Sequence, residues 1–237
     1  MKIRLLSLLA GLLSIFPAPA REFRTIRAAF QIPTRYPALS PYAGRVVLVH
    51  GFLETGGNFN MLRGRLQHQG YECLVPRLSP SDGRGGLESV ADSLKRDIDD
   101  AFGSEEPITI IAFSMGGLVS RHYLQHLGGA SRCEQLITVS TPHHGTRAAW
   151  LYPTKGAEQM RPGSEFLSKL AESDAMLGDM PVTSYHTPMD LIILPPASSV
   201  WSRAENLSFP VLMHPLMLSS GAVLRDIESR LAERKRR

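Results

Sequence analysis

The sequence of 237 residues is short of several things. It has two cysteines, Cys73 and Cys133, so at most one disulfide can form. It has no comfortable bilayer span: the apolar stretch at 5–16 is broken by Ser7, Gly11 and Ser14 and falls short of the ~20 residues a helix needs. It has no large excess of charge; 26 basic and 22 acidic residues leave +4, too mild to argue for a nucleic-acid partner. No repeat of fixed period is present, which sets solenoids aside. No Gly-x-Gly-x-x-Gly follows the first apolar strand, which sets a nicotinamide-binding domain aside. His122 and His126 lie one helical turn apart but lack the carboxylate of a His-Glu-x-x-His zinc motif. Neither a metal nor another cofactor is therefore expected. What remains has a globular composition, with 43% hydrophobic and 20% charged residues and scattered Gly and Pro, at a length that suits one large domain.

The first 20 residues stand apart. Lys2 and Arg4 open the chain, an apolar stretch follows, and Ala18-Pro19-Ala20 puts small residues at a cleavage spacing. This is the three-part layout of a secretory signal and predicts export to the periplasm or medium; an uncleaved membrane anchor is the alternative. Residues 21–44, rich in Pro and Arg, read as an irregular lead-in to a domain at 45–237.

In that domain short apolar runs alternate with amphipathic stretches. Strands are expected at 45–50, 73–75, 108–113, 136–139 and 182–186, with a weaker one at 206–212. Between them, Phe59/Leu62/Leu66, the face from Leu87 to Ala101, Leu118/Val119/Leu124 and Val223/Leu224/Ile227/Leu231 recur at helical spacing. Strands apolar on both faces, alternating with helices, argue for a mostly parallel α/β sheet of about six strands with helices on both faces. In such sheets reactive groups gather at the carboxyl ends of the strands.

There the third strand runs through Ala112-Phe113-Ser114-Met115-Gly116-Gly117 straight into a helix. A serine on so tight a turn exposes its hydroxyl, and small residues two positions either side let strand and helix approach. Serine needs a base, and the base an orienting acid, in the chain order Ser, Asp or Glu, His. His214 follows the last strand and has that order. Asp190 lies between, just beyond a strand and before the apolar 191–194; Glu205 is the alternative acid. Backbone N–H groups must meet the charge that develops on the attacked carbonyl. Met115 should supply one. The loop after the first strand, His50-Gly51-Phe52-Leu53-Glu54-Thr55-Gly56-Gly57, should supply the other from Phe52, or from Leu53 if the loop is set one residue on. His50 reads as a brace for this loop. Candidate pocket residues are His50, Leu53, His143, Trp150, Leu151 and Tyr152; the last three open a helix-prone insertion at about 147–181.

Val49-His50-Gly51-Phe52, the turn around Ser114 and Ser140-Thr141-Pro142-His143-His144-Gly145-Thr146 together resemble the α/β-hydrolase superfamily. Within it they are similar to the small bacterial triacylglycerol lipases and esterases, lidless ones included, with a more distant likeness to the inositol deacylases. The resemblance implies an α/β-hydrolase fold that cleaves carboxylic esters through an acyl-enzyme. It implies Ser114 as nucleophile, Asp190 as orienting acid, His214 as base, and Phe52 and Met115 as oxyanion donors. The expected partner is a small-molecule or lipid ester, with transient contact to a lipid surface, and the expected state is a monomer. An acyltransferase with the same triad, a glycolipid-type deacylase and an inactive binding protein are the alternatives. Ala112 replaces the commoner first Gly of the turn motif, and Pro215 follows the histidine where many relatives differ. The fold also puts three strand spacings, ~14 Å, between Cys73 and the strand after Cys133, too far for a disulfide, so two free thiols are expected.

Overall fold

The computed structural model describes residues 34–235. The leader expected at 1–20 lies outside the described residues. One sheet carries β1 (Thr34–Tyr36), β2 (Gly44–Val49), β3 (Tyr71–Val75), β4 (Ile108–Phe113), β5 (Cys133–Val139), β6 (Val182–His186) and β7 (Glu205–Ser208). The lateral order is β1-β3-β2-β4-β5-β6-β7, and every pairing is parallel except β1 against β3. The helices are α1 (Asn60–His68), α2 (Leu87–Phe102), α3 (Met115–His126), α4 (Lys155–Gln159), α5 (Glu165–Glu172) and α6 (Gly221–Lys235).

Side chains alternate across the pleat, and this divides the core in two. Val47 and Val49 of β2, with Ile108, Ile110 and Ala112 of β4, face α2, α3 and α5. Val46, Leu48, Ile111 and Phe113 face α1 and α6. All six residues of β4 are buried, as a central strand covered on both sides requires.

The edges depart from the sequence expectation. β1 lies inside the stretch read as irregular and makes a seventh strand. It is three residues long and pairs antiparallel at the outer edge through its backbone, so it needs no apolar alternation. β7 was expected at 206–212 and stops at Ser208. Pro210 follows two residues later and would break a ladder, and β7, at the other edge, is only half-buried at best.

The insertion folds as short helical pieces: a 3₁₀ turn at Arg147–Leu151, then α4, α5 and a 3₁₀ turn at Asp174–Leu177. Phe166, Leu167 and Leu170 pack into the core, so α5 acts as an ordinary connecting helix there. Gln159 ties the insertion to α2: its Oε1 accepts the Leu87 N–H at 2.6 Å and its Nε2 donates to Glu88 at 2.7 Å. That satisfies one of the orphan donors of the helix start, where Gly86 offers no side chain. Cys73 on β3 and Cys133 on β5 are buried free thiols with β2 and β4 between them.

Candidate active site

β4 ends at Phe113 and α3 begins at Met115, so Ser114 alone makes the turn. Its backbone sits at φ 55, ψ −126, a conformation that costs a non-glycine residue ~1–3 kcal/mol. The first turn of α3 must then pass against β2. A Cβ on Gly116 would lie 2.4 Å from the Val49 carbonyl oxygen and 2.5 Å from that of His50, so only glycine fits. A Cβ on Gly117 would meet the side chain of Thr141, 2.0 Å from its Oγ1. Ser114 precedes a helix, yet its side chain caps none of the helix N–H groups. Among the described residues the hydroxyl has no hydrogen-bond partner, and it lies beside the positive end of α3.

Asp190 follows β6 across residues 187–189 and is buried. Its Oδ1 accepts the N–H groups of Ile192 at 2.9 Å and Ile193 at 2.8 Å, and its Oδ2 accepts Nδ1–H of His214 at 2.8 Å. Burial pushes this carboxyl up, but the bond and charge of His214 and the two N–H groups outweigh it and hold it below the usual range. His214 opens a 3₁₀ turn, His214–Leu218, with Pro215 at a first-turn position where a missing N–H does no harm. The imidazole lies 4.6 Å from the ring of Phe113, the residue before Ser114. Asp190 and His214 are therefore paired next to the serine turn. No hydrogen bond joins Ser114 to His214 among the described residues; in free enzymes such bonds are often long. Glu205, the alternative acid, is engaged by Arg230 on the sheet edge at 2.6 and 2.8 Å.

The loop after β2 sorts its own donors. The Gly51 N–H goes to Glu54 Oε2 at 2.8 Å, and the Leu53 N–H goes to the Ser81 carbonyl at 2.9 Å. The N–H of Phe52 has no acceptor among the described residues, so of the two alternatives Leu53 is the engaged one. The Phe52 ring meets Tyr152 edge-on at 5.0 Å. Leu53, Trp150 and Leu151 are exposed at this edge.

Two expected pocket residues are buried instead. His50 lies behind the loop with Nδ1 3.1 Å from the Gly51 carbonyl, and burial pushes its imidazole down, which suits the brace and not the pocket. His143 turns inward. It stacks on Trp201 at 4.6 Å, and its Nε2 lies 3.2 Å from Thr138 Oγ1. Burial, with the charge of Arg121 beside it, pushes its imidazole well below the ordinary value. The surrounding run is scaffolding: Thr146 caps the 3₁₀ turn at Arg147–Leu151, donates to the Ile192 carbonyl at 2.6 Å, and so ties that turn to the Asp190 loop.

Strain gathers at this edge. Among the described residues, four non-glycine residues have positive φ: Leu53, Ser114, Ser140 and Met213. They lie in the loop after β2, at the serine turn, directly after β5 and directly before His214. Glu54 is the residue that sequence reasoning passed over. Its only signal was an acid in an otherwise uncharged loop, three positions after Gly51. A separate groove of about 470 Å³, lined by Glu88, Lys155, Glu158, Glu165 and Lys169 among others, includes neither Ser114, Asp190 nor His214. Among the described residues no group of three or more His, Cys, Asp or Glu side chains is placed to hold a metal.

A family model described as alpha/beta hydrolase fold matches residues 44–217, and the chain belongs to that family. Among solved structures it is similar to the mature form of a lipase from Bacillus licheniformis, with TM-score 0.71 and 17% identity over 85% of this chain and 98% of that one. It is similar to a monoacylglycerol lipase from Paleococcus ferrophilus, with TM-score 0.66 and 14% identity over 85% and 99%. A bromoperoxidase from Bacillus anthracis also matches, with TM-score 0.63 and 12% identity over 84% and 94%. At these identities the likeness is one of fold. No curated protein matches the chain by sequence.

Proposed function

We propose that the protein hydrolyses carboxylic esters through an acyl-enzyme on Ser114. The observation that carries this reading is the buried Asp190–His214 pair beside a strained, uncapped serine on one sheet edge. His214 Nε2 takes the Ser114 proton as Oγ attacks the ester carbonyl, and the imidazolium returns that proton to the departing alcohol. Water then repeats the sequence and releases the acid. Asp190 holds Nδ1 as the proton-bearing nitrogen, so that Nε2 offers a lone pair. The N–H groups of Phe52 and Met115 stabilise the oxyanion.

The surroundings suit an apolar acyl group. Leu53 (55% exposed), Leu191 (65%) and Leu212 (63%) stand on loops after the strands, and Trp150 (64%) on the 3₁₀ turn after β5. Such a rim favours lipid esters and passing contact with a lipid surface. The signal-like leader supports export.

The test is Ser114→Ala against a panel of p-nitrophenyl esters of rising chain length. We expect turnover to fall by at least ~10³-fold, and a fluorophosphonate to add its mass to the wild type only. A variant within tenfold of wild type on every ester would overturn the reading. Added alcohol in the same assay separates hydrolysis from acyl transfer.

A further inference from the structure

The geometry points to Glu54 as a positioning residue that fixes the Phe52 N–H on the reacting carbonyl; the inference rests on the ester-hydrolase reading above. The side chain of Glu54 folds back across its own loop. One oxygen, Oε2, accepts both the Gly51 N–H at 2.8 Å and the Asn58 amide at 2.9 Å. Among the described residues one backbone bond closes the same segment, Glu54 N–H to the Gly51 carbonyl, and it is long at 3.4 Å. The carboxylate is therefore the stronger closure of residues 51–54.

Inside that closure sits Leu53 at φ 60. A residue held there persists only when its surroundings fix it from more than one side. Here Glu54 holds one side and the Ser81 carbonyl the other. Between the two clamps one peptide N–H is left over, that of Phe52.

The closure also lies against the nucleophile. An added Cβ on Gly51 would be 2.9 Å from Glu54 Oε2 and 3.0 Å from Ser114 Cβ. The carboxylate oxygen is thus within ~6 Å of the Ser114 Cβ, close enough for its charge to act on the site. A negative charge there opposes an oxyanion, so charge is not what the loop gains from Glu54. The gain is a fixed acceptor. The groups facing the carboxyl are the Gly51 N–H, the Asn58 amide and the imidazole of His214; burial holds the carboxyl above its ordinary range against the downward pull of these three.

The acceptor can be separated from the charge. Wild type, Glu54→Gln, Glu54→Ala, Asn58→Ala and Ser114→Ala are compared for kcat and KM on a short ester, fluorophosphonate labelling rate and thermal unfolding. Glu54→Ala is expected to lower kcat by ~30–300-fold with KM nearly constant, and to slow labelling in parallel, as a displaced oxyanion donor should. Glu54→Gln keeps an acceptor for the Gly51 N–H and should retain at least about a fifth of wild-type kcat. Asn58→Ala, which frees the carboxylate to swing, should lose roughly 3–10-fold in kcat, and this arm decides the matter if Glu54→Ala does not fold. The inference is overturned if Glu54→Ala stays within threefold of wild type, if its loss lies wholly in KM, or if Glu54→Gln is as impaired as Glu54→Ala. A Ser114→Ala variant that keeps its turnover sinks the hydrolase reading instead. A dead Ser114→Ala beside a normal Glu54→Ala sinks only the role of Glu54.

Discussion

Replacing Asp190 by Asn exchanges one oxygen for an NH₂ and should reverse the imidazole. Oδ1 of Asp190 receives two backbone N–H groups, at 2.9 and 2.8 Å, so an amide must keep its carbonyl oxygen on that side. Its NH₂ then faces His214 Nδ1 across 2.8 Å. Two N–H groups cannot bond to each other, so Nδ1 becomes the acceptor and the proton moves to Nε2. The imidazole would present a proton to Ser114 where a lone pair is needed. Turning the amide over instead would strand the Ile192 and Ile193 N–H groups, at ~1–3 kcal/mol for each buried one. The expected loss in kcat is therefore about 10³–10⁴-fold, or ~4–5.5 kcal/mol in the barrier. Steady-state turnover of a p-nitrophenyl ester measures it, with the labelling rate of Ser114 as a check independent of deacylation. Stability responds differently. The folded Asp190 carboxyl lies below its usual range, so its contribution is complete above about pH 4, the unfolded value, and is lost as pH falls through the folded value. Asp190→Asn should flatten that acid limb of the melting curve. A variant with kcat within tenfold of wild type would refute the tautomer argument.

Other expectations follow from the same geometry. Gly116→Ala has no room beside the Val49 and His50 carbonyls and should lose activity and ~2–4 kcal/mol of stability, while Gly64→Ala on α1, where nothing lies within 4 Å, should gain ~0.5–1 kcal/mol; chemical denaturation reads both, and equal effects would be contrary evidence. His143 is held neutral in the folded chain, so stability falls as pH drops below about 6.5, where the unfolded imidazole binds a proton first. His143→Gln should reduce that slope between pH 6.5 and 5 by up to ~1.4 kcal/mol per pH unit, and an unchanged slope would count against the buried placement. Burial pushes both thiols up to about 12, so Cys73 and Cys133 should resist alkylation when folded and take two labels in urea without reductant. Labelling that requires reductant would mean a disulfide.

The central strands and the serine turn were legible because their signals are local. β4 is apolar at nearly every position, and the spacing of Ala112, Ser114 and Gly116 declares a tight strand-to-helix junction in five residues. The Asp190–His214 pairing was legible through chain order and position after β6 and β7. β1 was not, because an edge strand of three residues is recruited by backbone pairing with β3 and needs no hydrophobic period. His143 was misplaced because its direction depends on Ser140 at φ 48, just upstream, and on Trp201, which arrives from a segment some sixty residues away. Glu54 was silent for a related reason. Its task is set by a side chain folding back on its own loop, and no periodicity encodes that.

The four left-handed residues around the sheet edge imply a tension between endurance and work. Each holds the chain in a posture it would relinquish if its neighbours allowed, and together they draw on a margin of only ~5–15 kcal/mol that keeps an ordinary domain folded. Glycine in place of Ser114 should therefore give a tougher protein, by ~1 kcal/mol, that lacks the proposed nucleophile. A search for heat-resistant variants that screened melting temperature alone would drift toward such disarmed molecules.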